Sequence, residues 1–445
     1  MAIDRFSGEH AHADQRAIAA FERAVWNILA HRPDTASALG EATTAAPDFV
    51  AAHALRGFCG VSLARSETIV DAREQLATAR AALRSGAATA SETALVDALA
   101  LAVDGRLRAA ADRFDAHLAE KPRDLLALKL SHALRFMSGD ARGMLNTTQA
   151  ALKSWSKTMD GYGFALGCHA FALEENGRLL EAERAGRDAV GLEPCDAWGA
   201  HAVGHVYEMT NRTKDGVRWL EQTRPMWAEC NNFGFHMAWH LALYHLADGR
   251  ADIALQIYDS HVRPTSTDDF RDVANAVSML WRLRQESVDV GGRWNELAEL
   301  ARKRARDCSL VFASLHHLLT TIAVGDQETA GVILAAMAQN ALSHASDQAR
   351  VARDVGVELA QVLSFPTQSR RPAATLDRIA AQLDALGGSR AQRDVFLRTL
   401  ALMTADAGET RAFDAIARLR GKTSSDRFET GARARMGESP SLKVA

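Results

Sequence analysis

An aromatic residue, a glycine and, six positions past the glycine, a histidine recur three times in succession. The copies are Tyr162-Gly163…His169, Trp198-Gly199…His205 and Phe233-Gly234…His240. The glycines step by 36 and then 35 residues. A period near 35 residues is that of stacked helical hairpins. No such unit buries its apolar face alone, so neighbours stack and the array grows by adding units. The last two copies carry a second histidine, His201 and His236, four residues before the first.

Other punctuation keeps the same period. Ala-rich amphipathic runs end at Pro47, Pro122 and Pro194, and the last two prolines are 72 residues apart, two units of 36. Proline stops a helix because it lacks the N–H for the preceding turn and biases its predecessor away from the helical region. Asp48, Asp124 and Asp196 follow these prolines and are expected to cap the next helices. Gly139, Gly177, Asn211 and Gly249 mark the turns inside the hairpins, where a left-handed residue ends a helix.

The composition agrees with an all-α chain: 47% hydrophobic and 6% aromatic, with only 9 prolines in 445 residues. The expected fold is an α-solenoid of tetratricopeptide-like hairpins in one continuous superhelix. It occupies residues 1–421 as a single domain, with the best repeats at 105–262, and a polar, frayed tail follows at 422–445. Looser hairpins precede the best run, and past Pro264 further helices are expected near 268–286, 294–306, 310–324, 328–343, 350–363, 373–386, 391–405 and 411–420. No alternating β-branched run predicts a strand.

A net charge of −3 gives no electrostatic footprint for nucleic acid, and no basic amphipathic arm or long apolar run predicts membrane contact. Residues 1–14 are polar and lack the pattern of a signal peptide. Five cysteines, scattered singly, read as reduced thiols of a cytoplasmic protein.

The chemistry concentrates in the histidines. Helix positions four apart share a face, so His201 and His205 form one pair, with Glu208 a turn further on, and His236 and His240 form another. First helices of adjacent hairpins lie about 8–10 Å apart. The two pairs can therefore meet on the concave side, either as metal ligands with Glu208 as ligand or base, or as groove histidines hydrogen-bonded to neighbouring hairpins. A divalent metal is the cofactor this set would take. Ligand-binding candidates are His53, His132, His201, His205, Glu208, His236, His240, His261 and His316. Catalytic candidates are Glu208, Asp259, His261 and Asp272. Phosphate-cradling loops, dinucleotide fingerprints, zincin motifs and nucleophile elbows are missing from the sequence.

Several segments resemble the tetratricopeptide repeat protein 38 family: 124–132, 201–209, the helix bearing His236, Trp239 and His240, 254–261, 277–283 and 386–396. The resemblance spans most of the chain and implies an α-solenoid, with His132, His201, His205, His236, His240, His261 and His316 on the family's pattern. His169, His317 and the segment at Ser314 depart from it. The family implies fold and no settled activity. Three functions follow from the residues. The first is a groove that binds a small molecule or peptide through His and carboxylate. The second is a hydrolase-like enzyme, metal-dependent or His/Asp acid–base, using the same cluster. The third is an interaction scaffold, and self-association is left open. A C-terminal half folded over the groove favours the enzyme, and an open superhelix favours the binding module.

Overall fold

Helices that open the central hairpins are apolar on every side, and they are buried on every side. Each residue of Ala197–Met209 is buried, whereas its partner Thr213–Gln222 buries only Gly216 and Leu220. The same division separates Tyr162–Glu175 from Leu179–Leu192, and Phe233–Ala247 from Ala251–Ile257. An all-round apolar helix is stable only inside. The inner row is therefore made of first helices and the outer row of amphipathic second helices. A computed structural model describes residues 2–11, 14–86, 88–365, 373–424 and 426–437 as an all-α solenoid of such hairpins.

Local signals act where the sequence places them. Gly139, Gly177, Asn211 and Gly249 have φ of 67°, 76°, 54° and 78°. A side chain at Gly139 is excluded twice over, because a Cβ there would lie 1.9 Å from the Asp384 carbonyl oxygen. Asp124 caps Leu125–Met137, accepting from the Ala127 amide at 3.1 Å. Asp48 does not cap: Phe49 holds the N-cap position of Val50–Ser62, and no side chain bonds there.

Four expectations are corrected. The polar N-terminus forms a short antiparallel pair, Ala2–Ile3 with Glu9–His10. Two-residue strands are too short to leave an alternation, and what holds them is remote: Glu9 N–H donates to Ser91 Oγ at 3.1 Å and Phe6 is 2% exposed. The helix expected over 350–363 is interrupted by a π-helical turn at Ala352–Gly356. Another π-helical turn, Tyr258–Val262, carries Asp259 and His261. The tail is not frayed from 422, because Arg427–Gly437 is a helix that buries Phe428 and Ala432; residues 438–445 lie outside the described residues.

Past Pro264 the chain turns back over the concave side. Gly388 N–H donates to the Phe136 carbonyl at 3.3 Å, and Asp347 N–H to the Gly105 carbonyl at 2.9 Å. Arg390 N–H reaches Glu175 Oε1 at 2.8 Å, and Arg304 pairs with Glu67 at 2.7 Å. The groove is thus capped by the C-terminal half. Among the described residues no helix is long and apolar enough to cross a membrane.

Candidate metal centre

The 35-residue period carries Phe233–Ala247 alongside Ala197–Met209 in register, and the two histidine pairs meet face to face. His201 Nε2 lies 2.9 Å from His205 Nε2, 2.9 Å from His236 Nε2 and 3.1 Å from His240 Nε2. His236 and His240 are 3.2 Å apart through the same atoms. A first-row ion with metal–nitrogen bonds near 2.0–2.1 Å sets tetrahedral ligand atoms about 3.3 Å apart. The observed spacing is close to that.

Outward-facing nitrogens decide what the inward-facing ones can do. His240 Nδ1 lies 3.2 Å from Glu208 Oε2, and His236 Nδ1 lies 3.1 Å from Asn275 Oδ1. His205 Nδ1 faces Glu174 Oε2 at 3.3 Å. A neutral imidazole has one N–H, and Glu208 and Asn275 hold it at Nδ1 on His240 and His236, whereas Glu174 faces Nδ1 of His205 without an aligned bond. The Nε2 lone pairs of His236 and His240 then point at His201, which can offer a single proton. Acceptor-only nitrogens this close repel one another unless a cation lies among them. Carboxylate or carbonyl oxygen behind each ring is the usual support of metal-bound histidine.

Burial favours the neutral form on three of the four rings. Burial holds His201 well below its usual range, and His205, His236 and His240 lower it further. His236 is lowered by burial and by His240, and His240 is pushed down to about 4 by burial, against the pull of Glu208. Burial would lower His205 as well, but Glu174 outweighs it and raises the ring above its usual range. Burial would raise Glu208, yet the bond from His240 and the charge of Lys422 hold it well below the usual carboxylate range. Metal ligation needs neutral imidazole, and a buried anion beside it offsets the charge of the ion.

Aromatic rings wall the cluster. Phe171 stacks on His201 at 5.4 Å and Trp239 on His236 at 5.3 Å, while Trp239 Nε1 donates to Ser278 Oγ at 3.1 Å. His201 and His236 open onto a cavity of about 190 Å³, which Lys129, His132, Phe312 and Gln392 also line.

Of the residues singled out in sequence, the structure brings together His201, His205, His236 and His240, with Glu208 behind His240 rather than among the converging nitrogens. His132 reaches the cavity and accepts from Trp198 Nε1 at 3.2 Å. The others go elsewhere. His53 bonds Gln75 and the Pro47 carbonyl, each at 2.9 Å. His316 Nδ1 donates to the Phe312 carbonyl at 2.8 Å. His261 is exposed beside Ser260, and Asp259 forms a surface pair with Arg293 at 2.6 Å. Asp272 is buried, accepting from Thr267 at 2.6 Å and Asn232 at 3.0 Å. Burial, and then Asp269, push it up to about 6. Glu174, Asn275, Lys129 and His31 escaped the sequence reading. Glu174 and Lys129 left a trace, each a charged residue inside an apolar first helix of the repeat.

Asp196 marks a cost at the edge of the site. Its carboxylate is 1% exposed and turns toward the Trp198 and Gly199 amides without closing an aligned bond. Only glycine fits opposite: a Cβ at Gly167 would lie 2.0 Å from Oδ2. Burial pushes Asp196 up to about 7, against the pull of Lys129. A carboxyl with a folded pKa above its unfolded value of about 3.9 contributes stability that is whole below that value and lost as pH rises through 7. Asp196→Asn is therefore expected to match wild type near pH 4 and to exceed it by about 2–4 kcal/mol at pH 8. Urea midpoints at the two pH values read this, and an equal difference at both would refute it.

No model of a known protein family matches the chain.

Proposed function

We propose that this protein is a metal-dependent enzyme acting on a small molecule. A single transition-metal ion is held by Nε2 of His201, His205, His236 and His240. The observation that carries this is the convergence of four Nε2 atoms, with His201 at 2.9–3.1 Å from each of the other three, and with Nδ1 of His240, His236 and His205 turned to Glu208, Asn275 and Glu174. An all-imidazole set suits zinc, copper, iron or nickel rather than magnesium or calcium. Four imidazoles fill a tetrahedral shell, so a substrate or water joining the ion makes it five- or six-coordinate. The cavity beside His201 and His236, of about 190 Å³, would supply that reactant and has room for a small molecule. The cap over the groove supports the enzyme reading, because it walls the cavity beside the histidines with Leu386, Gly388 and Gln392.

Kinship with the tetratricopeptide repeat protein 38 family is part of the proposal. It is supported by where the resembling segments fall. Lys129, His132, His201, His205, Glu208, His236, His240, Leu386, Gly388 and Gln392 all lie in them and build the cluster or the cavity.

Metal analysis of protein purified without a His tag tests the reading. About one equivalent of transition metal is expected, and the double variant His201→Ala/His240→Ala should lose it while keeping its helical circular dichroism. Less than roughly a tenth of an equivalent, with no uptake on reconstitution, would sink it.

A further inference from the structure

Lys129 is a buried cation facing the same cavity. Its side chain is 8% exposed, and its Nζ donates to His31 Nε2 at 3.4 Å and sits 4.9 Å from the Trp198 ring. No carboxylate of the described residues pairs with it. Asp196 is the acid that feels it, but neither of its carboxylate oxygens bonds the ammonium. An ammonium withdrawn from water without a counter-charge is costly, and the cost is removed by an anion. Arg271, on the same cavity wall, differs because Asp269 already neutralises it at 2.5 Å.

His31 points the same way independently. It is not a glycine, yet its φ is 56°. It follows the C-cap Ala30 of the helix Gln15–Leu29, and this left-handed turn brings the ring to the cavity. The ring is clamped by Phe233 at 4.3 Å and by Trp198 at 5.7 Å, and the His31 carbonyl accepts from Asn231 N–H at 2.7 Å. Burial, followed by Lys129, holds the ring well below its usual range, so it accepts from Lys129 rather than repelling it. The clamped ring thus aims the ammonium.

Between Lys129 and the histidine cluster the wall is aromatic. Trp198 lies against both, 4.9 Å from Lys129 Nζ and 4.9 Å from the His201 ring, and Phe233 lies 5.3 Å from His201. Phe136, Phe270 and Phe312 complete the apolar lining.

The geometry points to a small organic acid as the ligand: a carboxylate on Lys129, an apolar body along Trp198 and Phe233, and the far end presented to His201 and His236. This rests on the proposed metal site for its reactive end, but the anion-binding end stands on Lys129 and His31 alone.

Calorimetric titration with benzoate and its neutral isostere benzamide, on metal-loaded and chelated protein, tests it. Benzoate is expected to bind about tenfold or more tighter than benzamide, and Lys129→Met to remove that preference while leaving benzamide unchanged. The preference should survive chelation, since it comes from Lys129. A preference that disappears with the metal and is indifferent to Lys129→Met means that benzoate binds the ion, and overturns the assignment. Equal binding of the two probes to wild type, or none at all, overturns it as well. If Lys129→Met does not fold, the chelated wild type compared between the two probes decides alone. Absence of bound metal would sink the metal reading without touching this one.

Discussion

Stripping the metal is expected to lower the stability of wild type by about 4 kcal/mol when the free ion was present at about a thousand times its dissociation constant. The ion binds the folded chain alone, because only the fold assembles Nε2 atoms from two hairpins 35 residues apart. Its binding energy is therefore folding energy. Chelation also leaves His201 Nε2 within 2.9–3.1 Å of three other ring nitrogens, with too few protons among them. His201→Ala should start near the stability of the chelated wild type and respond little to chelator, since His201 touches all three of its partners. Thermal unfolding of both proteins, with and without chelator, is the measurement. An unchanged wild-type midpoint would show that the histidines satisfy one another.

Replacing Arg420 by methionine is expected to cost about 3–5 kcal/mol, the usual result of breaking a buried charge network from one side. Arg420 is fully enclosed and bonds Asp394 Oδ1 at 2.7 Å, Asp426 Oδ2 at 2.8 Å and Glu429 Oε1 at 2.6 Å. Methionine fills some of the volume and leaves three buried acids facing one another. Burial would raise the Asp426 carboxyl, but Arg420 holds it far below the usual carboxylate range. A depressed carboxyl contributes stability that is present above its unfolded pKa of about 3.9 and lost as pH falls through the folded value. In the variant that contribution disappears, so its share of the deficit should hold from neutral pH down to about pH 4 and narrow only below that. Urea midpoints from neutral pH to below about pH 3 check the sign. The loss should also reach the site: just past Arg420, Lys422 Nζ donates to the Glu208 carbonyl at 3.2 Å and Thr423 N–H to the Met209 carbonyl at 3.0 Å.

The histidine cluster was legible because every step to it is short-range. Four-residue spacing sets a shared helix face, and a constant repeat length sets the neighbour's register. Glu208 lies on the same face and was found with them, although its role differs: it holds the outer nitrogen of His240. His53, His261 and His316 carry the same residue type but lie outside the paired pattern, and each finds its partner locally. The misreading of Asp259 came from the π-helical turn that carries it outward to Arg293.

The amino-acid sequence by itself determined the hairpin, its period, its turns and the four converging histidines, because helix periodicity, proline, capping and nearest-neighbour stacking act within one or two repeats. Only the tertiary structure decided that the groove is capped, that Glu174 and Asn275 stand behind His205 and His236, and that Lys129 and His31 face the same cavity. The cap and the pairing of Lys129 with His31 depend on contacts such as Gly388 to Phe136, Arg390 to Glu175 and Asn231 to His31. Each joins residues about 200 or more positions apart, where no local periodicity records the partner.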